Sequence, residues 1–252
     1  MNKEGKVVVV VQARTGSTRL PSKVMKKICG KPMLLLMLER LSHSKLIDEI
    51  VVATSVNKND DVIYNLAKEN GYSVFRGSEL DCLDRYYQVG RKFNADFVSK
   101  ITPDCPLIDP QVVDMVIGFF LDNVEKYDYV SNAHPATFPD GLDVEIFRLS
   151  VLEKAWKESK NPSHREHTTT YIWSQPSLFR IGNVEMPDGK NLFMKERWTV
   201  DYPEDFEFVK SIYENLYNGG RIFLMNEILQ FLEKRKDIWN INHHLAIHNS
   251  IH

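Results

Sequence analysis

Short apolar runs alternate along the first half of the chain with longer segments that mix apolar and polar residues. The run VVVVV occupies residues 7–11, and similar runs lie at 49–54, 72–75 and 96–101. The mixed segments at 33–44, 60–70, 80–93 and 111–124 are predicted to be helices. Alternation of buried strands with helices predicts a parallel sheet with right-handed crossovers and helices on both faces.

Several of these predicted helices carry residues typical of helix boundaries. Pro32 is well placed to open the first helix, and Asp60 to cap the second. Gly71 follows the end of that second helix, and Asp109 with Pro110 opens the fourth. The positions of these residues support the alternating pattern.

The second half of the chain repeats the alternation less regularly. It predicts strands at 127–131, 143–147, 178–186 and 197–200, and helices at 205–217 and 228–236. We see no linker, low-complexity segment or internal repeat. We therefore expect one α/β domain over residues 1–252, with a three-layer, mostly parallel sheet and helices on both faces.

Composition and charge narrow the class of protein. The chain has 252 residues, 43% hydrophobic and 26% charged, with a net charge of −2, which argues against a nucleic-acid partner. Cys29, Cys82 and Cys105 are widely spaced, which is typical of a reducing compartment. The N-terminus resembles no signal peptide, and no apolar run has the roughly 20 residues of a membrane span. We expect a soluble cytoplasmic protein with no membrane partner.

A short cationic loop follows the first predicted strand. Residues 12–24, QARTGSTRLPSKV, bring Arg14, Arg19 and Lys23 close together, with Gly16 and Ser17 among them. Ligands of parallel sheets bind where loops leave the carboxyl ends of strands, and small residues with backbone N–H groups suit phosphate. The loop therefore predicts a phosphate site, although it is not a Walker A loop. The alternative is a solvated basic loop with its charges spread apart.

Two aspartates are candidate metal ligands because each follows a predicted strand. Asp104 lies in TPDCPLIDP after the fourth strand, and Asp201 follows RWTV. Mg²⁺ prefers oxygen donors and usually keeps phosphates as partners, so the two carboxylates predict a magnesium site if they converge. The alternative is that Asp104 belongs to a turn and Asp201 caps the next helix, as Asp109 is expected to do.

Polar residues of the second half are candidates for binding an acceptor. In FPDGLDVEIF, Asp143 and Glu145 would point to the same face of a strand, which indicates that they line a cleft. A second polar cluster precedes a predicted helix and either binds an acceptor or forms a solvated, capped helix start. This cluster is His164, Arg165, Glu166 and His167.

Several stretches together resemble one known family. In chain order they are QARTGSTRLPSKVMKKICGKPM, FRGSELDCLDRYY, TPDCPLIDP, FPDGLDVEIF, SHREHTTTYI and RWTVDYPEDFEFV. They resemble the spore-coat polysaccharide biosynthesis protein F family, which belongs with the cytidylyltransferases that activate 3-deoxy-manno-octulosonate and sialic acids. The resemblance runs from about residue 7 to about residue 216. Gln12-Ala13 stands where the sugar-acid enzymes usually have Pro-Ala or a similar pair. The chain departs from those enzymes at Gly16, where they usually have a bulkier residue, and in its substrate-binding half.

The resemblance implies a nucleotidyltransferase with a glycosyltransferase-A-like fold that uses CTP, Mg²⁺ and a small-molecule acceptor and is often a homodimer. Residues 1–125 would form the nucleotide-binding half, and residues 126–252 the half for acceptor binding and dimerisation. The implied nucleotide-binding residues are Gln12, Ala13, Arg14, Gly16, Ser17, Arg19, Lys23 and Thr54, with Arg14, Lys23 and Asp104 catalytic and with Asp104 and Asp201 as metal ligands. The candidate acceptor-binding residues are Asp143, Glu145, His164, Arg165 and Glu166.

Three other functions are weighed against this reading. A sugar-nucleotide-dependent glycosyltransferase shares the sheet, but its metal is typically held by a D-x-D motif, which TPDCPLID lacks. A nucleotidyltransferase that uses another triphosphate would present the same phosphates to the loop. A binding module that has lost catalysis is not supported, since a suitable residue stands at every candidate phosphate-binding and metal-binding position.

Overall fold

The computed structural model describes residues 5–248. The strands are β1 (Val7–Gln12), β2 (Lys27–Ile28), β3 (Lys31–Pro32), β4 (Glu49–Ser55), β5 (Ser73–Gly77), β6 (Phe97–Ile101), β7 (Tyr129–Ser131), β8 (Glu145–Arg148) and β9 (Ile181–Asn183). The helices are α1 (Met33–Leu41), α2 (Asp61–Glu69), α3 (Cys82–Lys92), α4 (Pro110–Asp122), α5 (Leu149–Glu158), α6 (Pro162–Glu166), α7 (Thr170–Trp173), α8 (Pro203–Leu216), α9 (Met225–Lys234), α10 (Lys236–Trp239) and α11 (His243–His248).

Seven strands form the central sheet, in the order β5-β4-β1-β6-β8-β7-β9. Strands β5, β4, β1 and β6 pair in parallel, β8 pairs antiparallel with both β6 and β7, and β9 is parallel to β7. The remaining strands, β2 and β3, form a two-stranded antiparallel ribbon. The predicted fold class, a mostly parallel sheet in an α/β fold, is confirmed.

The valines of β1 are buried on both sides of the sheet, as its continuous apolar run predicts. Val7, Val9 and Val11 belong to a core with residues of α1, α2, α4 and α8. Val8 and Val10 belong to the opposite core, with residues of α3, α5 and α7. Burying each valine side chain contributes about 1.5–3 kcal/mol, so this strand fixes both helical layers and the loop that follows it.

The predicted strand at residues 197–200 is wrong. Arg197 makes an isolated parallel bridge with Asp140, and the backbone N–H of Trp198 donates to the Asp140 carbonyl at 2.7 Å. Two residues further along the chain, the backbone N–H of Val200 donates to a different loop, at the carbonyl of Asp104, at 2.8 Å. The segment alternates polar and apolar residues and is buried, as a strand would be, but its backbone is shared between two loops, which prevents a regular ladder.

Helix boundaries agree with the sequence at Asp109, whose carboxylate accepts a hydrogen bond from the N–H of Gln111 at 2.7 Å. Asp201 is different. The first turn of α8 is closed by Asp205, which accepts from the backbone N–H of Asp201 at 2.9 Å and of Tyr202 at 3.0 Å. The Asp201 carboxylate is therefore directed elsewhere. Among the helices of residues 5–248, none is long and apolar enough to cross a bilayer.

Candidate active site

One cleft opens at the carboxyl ends of β1 and β6, which are neighbours in the sheet. Its volume is about 500 Å³, and residues from both halves of the chain contribute to its walls. This is the edge at which open α/β sheets bind ligands. The lining residues are Gln12, Arg14, Gly16, Ser17, Thr18, Arg19, Lys23, Val24, Cys82, Thr102, Pro103, Asp104, Glu166, His167 and Asp201.

The loop after β1 is held in place by a buried carboxylate. Asp60 accepts hydrogen bonds from the N–H and the hydroxyl of Thr15, both at 2.8 Å, and from the hydroxyl of Ser55 at 2.5 Å. Burial raises the pKa of Asp60, but these hydrogen bonds outweigh it, and the pKa is lowered. The sequence predicted Asp60 as a helix cap. It stands directly before α2, yet its side chain anchors the cationic loop instead.

Lys23 joins the two aspartates that were predicted as metal ligands. Its Nζ lies 3.1 Å from Asp104 Oδ2, 3.0 Å from Asp201 Oδ1 and 2.7 Å from the carbonyl oxygen of Val200. Burial acts to lower the pKa of Lys23, but the two carboxylates outweigh it and raise that pKa above its ordinary value. The convergence of Asp104 and Asp201 on one point, which spacing alone left open, is therefore a feature of the structure.

The two arginines of the loop are more accessible than Lys23. Arg19 Nη2 lies 2.8 Å from Asp201 Oδ1, and its guanidinium carbon is 5.1 Å from the centre of the Tyr202 ring. Just over half of the Arg19 side chain is exposed, and Arg14 is also exposed on the cleft wall. Both guanidinium groups are thus exposed on the cleft wall, where an anion that enters the cleft reaches them.

A buried arginine that was not predicted from the sequence, Arg197, lies next to Asp201 and helps to position its carboxylate. Arg197 forms a bidentate pair with the carboxylate of Asp205, with both N–O distances 2.9 Å, and its side chain is only 1% exposed. The same guanidinium lies 3.2 Å from Asp140 Oδ2 and 3.5 Å from Asp201 Oδ2. The signal was present in RWTVDYPED, where one arginine precedes two aspartates at i+4 and i+8, but spacing does not show which carboxylate is buried.

Carboxylates outnumber cations at the floor of this site. Burial raises the pKa of Asp140 to about 6, and the nearby charges of Asp104 and Asp201 add to it against Arg197. Within the described part of the chain, no three metal-ligating His, Cys, Asp or Glu side chains cluster together. Asp104 and Asp201 therefore fit a hard cation that completes its shell with carbonyl, phosphate and water oxygens, as Mg²⁺ usually does.

The two carboxylates predicted to share a strand face have different roles. Glu145 begins β8 and is buried, with Lys100 Nζ at 2.5 Å and the Tyr129 hydroxyl at 2.6 Å. Asp143 lies before the strand; burial, together with Asp140 and Glu145, raises its pKa to about 7. Glu145 is thus engaged inside the protein, while Asp143 forms no ion pair with any residue of the described range 5–248.

In the cluster at residues 164–167, some side chains are held by contacts within the protein and others line the cleft. Arg165 bonds Asp81 Oδ2 through Nε at 2.7 Å and Nη2 at 2.6 Å, which ties α6 to the start of α3. His164 packs edge-on against Tyr171, with ring centres 5.8 Å apart. Glu166 and His167 line the cleft. Arg165 is therefore an anchor, and the two residues after it face the site.

Comparison with known proteins identifies the family. A family model described as cytidylyltransferase matches residues 8–238. An uncharacterised protein of Methanocaldococcus jannaschii is 38% identical over 242 residues, 94% of each chain. The chain belongs to the cytidylyltransferase family.

Two further relatives agree with this assignment. The spore coat polysaccharide biosynthesis protein SpsF of Bacillus subtilis is 31% identical over 213 residues, 82% of this chain and 86% of that protein. The solved structure of a cytidylyltransferase from Leptospira borgpetersenii serovar Hardjo-bovis is 35% identical, with a TM-score of 0.87, and the match covers 93% of this chain and 97% of that one. The resemblance stated from the motifs is confirmed, and the protein is a nucleotidyltransferase.

The uncharged residues predicted to border the nucleotide of this cytidylyltransferase differ in whether they reach the cleft. Gln12 lines the cleft and donates through Nε2 to Cys82 Sγ at 2.8 Å. Ala13 is 1% exposed, and its N–H donates to the carbonyl of Ala53 at 3.0 Å. Thr54 is fully buried inside β4, outside the cleft lining. Gln12 thus lies where a ligand reaches it, whereas Thr54 lies inside the sheet.

Proposed function

We propose that this cytidylyltransferase transfers CMP from CTP to an oxygen of a sugar, an acidic sugar or a related phosphate or phosphonate. The product would serve the synthesis of a surface polysaccharide or glycoconjugate, as the name of the Bacillus subtilis relative suggests. The observation that carries the proposal is that Lys23 of the cationic loop meets Asp104 and Asp201 in the cleft, which the other cations of that loop also line.

The loop after β1 supports a role in holding the triphosphate. Arg14, Arg19 and Lys23 line one side of the cleft, with Gly16 and Ser17 between them. Cations and backbone N–H groups in that arrangement suit the charge that develops on departing pyrophosphate. The acceptor oxygen attacks the α-phosphorus, a new P–O bond forms, the bond to the β-phosphate oxygen breaks, and pyrophosphate leaves. A hydroxyl acceptor also loses its proton.

Asp104 and Asp201 are the residues that would hold Mg²⁺. When bound, the ion supplies neutralisation and orientation of the α-phosphate. The chain itself positions the two carboxylates. The backbone N–H of Val200 donates a hydrogen bond to the carbonyl of Asp104, and the backbone N–H of Asp201 donates one to the carboxylate of Asp205. Positioning and charge neutralisation are the main requirements of this class of displacement, since it needs no covalent intermediate.

The second half of the chain supplies the acceptor side. Glu166 and His167 line the cleft, and Asp143 is a nearby carboxylate outside the cleft lining, close to Asp140 and Glu145. Side chains of this kind donate and accept hydrogen bonds to a polyhydroxylated molecule. We also propose that the protein works in the cytoplasm as a homodimer. Sedimentation equilibrium at micromolar concentration tests the dimer, and a monomeric mass would reject it.

Nucleotide preference is tested by calorimetric titration of CTP, GTP, UTP and ATP into the purified protein, with and without Mg²⁺. We expect binding of CTP alone, strengthened by the metal. Binding of a different triphosphate would overturn the base assignment. If none of the triphosphates binds, and a sugar nucleotide titrated in the same way does bind, a glycosyltransferase is favoured.

Catalysis is tested by pyrophosphate release from CTP with a panel of neutral sugars, acidic sugars, sugar phosphates and phosphonates. Asp104→Asn should reduce turnover at least a hundredfold with the active acceptor, while the protein stays folded. Asp237→Asn is the matched control, because that carboxylate pairs with Arg235 on the surface, outside the cleft lining. Near-normal turnover in Asp104→Asn would reject the metal assignment.

A further inference from the structure

The Lys23 ammonium is fully engaged by three oxygen atoms. An ammonium has three N–H donors, and Nζ has three acceptors within 3.1 Å: Asp104 Oδ2, Asp201 Oδ1 and the Val200 carbonyl. The side chain is 12% exposed, so little of it faces the cleft. In this position Lys23 has no donor left for a phosphate group.

The same three oxygens are a donor set for a hard divalent cation. Two carboxylates and one backbone carbonyl are the ligand types that Mg²⁺ and Ca²⁺ take in proteins, with phosphate and water completing the shell. An ion bound by Asp104 and Asp201 would be surrounded by the oxygens that now surround Nζ. An ion that takes all three of these oxygens occupies the space that Nζ now fills, so the ion and the ammonium cannot hold this position together.

We propose that Lys23 occupies the divalent-cation position of the ligand-free enzyme and exchanges with the metal when CTP arrives. Lys23 then turns from the carboxylates to the triphosphate, and the ion takes its place between Asp104 and Asp201. The inference rests on the proposed function, since it takes the metal site from there. It adds that the empty enzyme binds metal poorly and that metal and nucleotide enter together.

The exchange also explains why a lysine stands at this position of the loop. Arg19 already contacts Asp201 from the exposed side, and Arg14 is exposed on the cleft wall. The flexible four-carbon stem and compact charge of lysine suit a group that moves between two anionic partners, whereas a guanidinium favours one fixed bidentate geometry. The ammonium keeps the two carboxylates together until the metal replaces it.

The test measures Mn²⁺ binding to the full chain without nucleotide, from the loss of the paramagnetic resonance signal of free Mn²⁺. Lys23→Met should bind Mn²⁺ at least tenfold more tightly than the wild type, and CTP more weakly. The control is Lys26→Met, which removes a charge from the same segment at a side chain that packs over the Phe206 ring, 5.1 Å away. If Lys23→Met binds Mn²⁺ no more tightly than Lys26→Met does, the exchange is wrong.

A second measurement keeps the test decisive if Lys23→Met is unstable. The affinity for CTP is measured calorimetrically with and without Mg²⁺ for the wild type and for Lys23→Gln. The metal should strengthen CTP binding by a larger factor in the wild type, because there it also releases Lys23. An equal factor in both proteins would overturn the proposal.

Failure of the metal site itself is distinguished with Asp201→Asn. If this variant binds Mn²⁺ in the presence of CTP as well as the wild type does, the metal assignment of the proposed function is wrong. If Asp201→Asn loses Mn²⁺ and Lys23→Met gains none, the metal site stands and only the exchange is rejected.

Discussion

Replacement of Arg197 by methionine should destabilise the protein strongly, because it leaves the carboxylate of Asp205 buried without its cation. Asp205 is 0% exposed, and both of its oxygens contact the guanidinium at 2.9 Å. Breaking a buried pair by removing one partner costs about 3–5 kcal/mol. For a chain of this size that corresponds to a fall in Tm of roughly 6–20 °C.

The assay is urea unfolding of wild type, Arg197→Met, Asp205→Asn and the double variant. Removing both charges leaves no buried carboxylate at position 205, although Asp140 and Asp201 still lose their contact with Arg197. The free energy of unfolding of the double variant should therefore fall by about 1–3 kcal/mol less than the sum of the two single losses. Arg40→Met is the control, because Arg40 is equally buried but its guanidinium bonds the neutral carbonyls of Ile108 at 2.6 Å and Phe223 at 2.7 Å. Single losses that simply add would refute the argument.

Activity separates structure from positioning in the same set of proteins. The Arg197→Met/Asp205→Asn variant should regain part of the stability that the summed single losses would remove, but not turnover, because Arg197 no longer contacts Asp201 Oδ2. Arg40→Met should retain its turnover per folded molecule, since its contacts lie outside the cleft. Full turnover in the double variant would show that Arg197 serves the fold alone.

Two further predictions concern carboxylates at opposite ends of the site. Asp60→Ala should raise the KM for CTP about tenfold with a smaller change in kcat, because the hydrogen bonds to Thr15 that hold the loop are lost; an unchanged KM would contradict this. The pKa of Asp143 is raised to about 7, so the folded state binds more protons than the unfolded state between about pH 4 and pH 7, and stability falls as pH rises through that window. Asp143→Asn should therefore raise Tm at pH 8 and leave it unchanged below pH 4, as thermal unfolding across pH would show; an equal shift at both pH values would contradict this.

The first half of the fold could be predicted from sequence because its strands are continuous apolar runs. The run at residues 7–11 is buried on both faces and lies in β1 as expected. The strand predicted at 197–200 failed for the opposite reason. Arg197 and Thr199 alternate there with Trp198 and Val200, and the backbone of residues 197–200 is shared between two different loops, those of Asp140 and Asp104. Such pairings are set by tertiary packing, which local pattern does not report.

The candidate site divides along a similar line. Charged residues with strong local signals, such as Arg14, Lys23 and Asp104, line the cleft as predicted. Arg165 and Glu145 looked equally polar in sequence, yet each is engaged by a partner of opposite charge, Asp81 and Lys100. A sequence shows that a charge is present but not whether a distant residue already neutralises it.

The irregular segment before α8 explains how the two halves of the chain share one site. Its backbone is bonded to the Asp104 loop on one side and to the turn at Asp140 on the other. Gly141 has a φ of +107°, and a Cβ there would lie 2.7 Å from the backbone nitrogen of Thr199, so this turn packs directly against the segment. A regular strand would have fixed Asp201 to one neighbour. The segment is instead bonded to two loops, so the carboxylate that follows it, Asp201, is positioned by backbone contacts to both the Asp104 loop and the turn at Asp140.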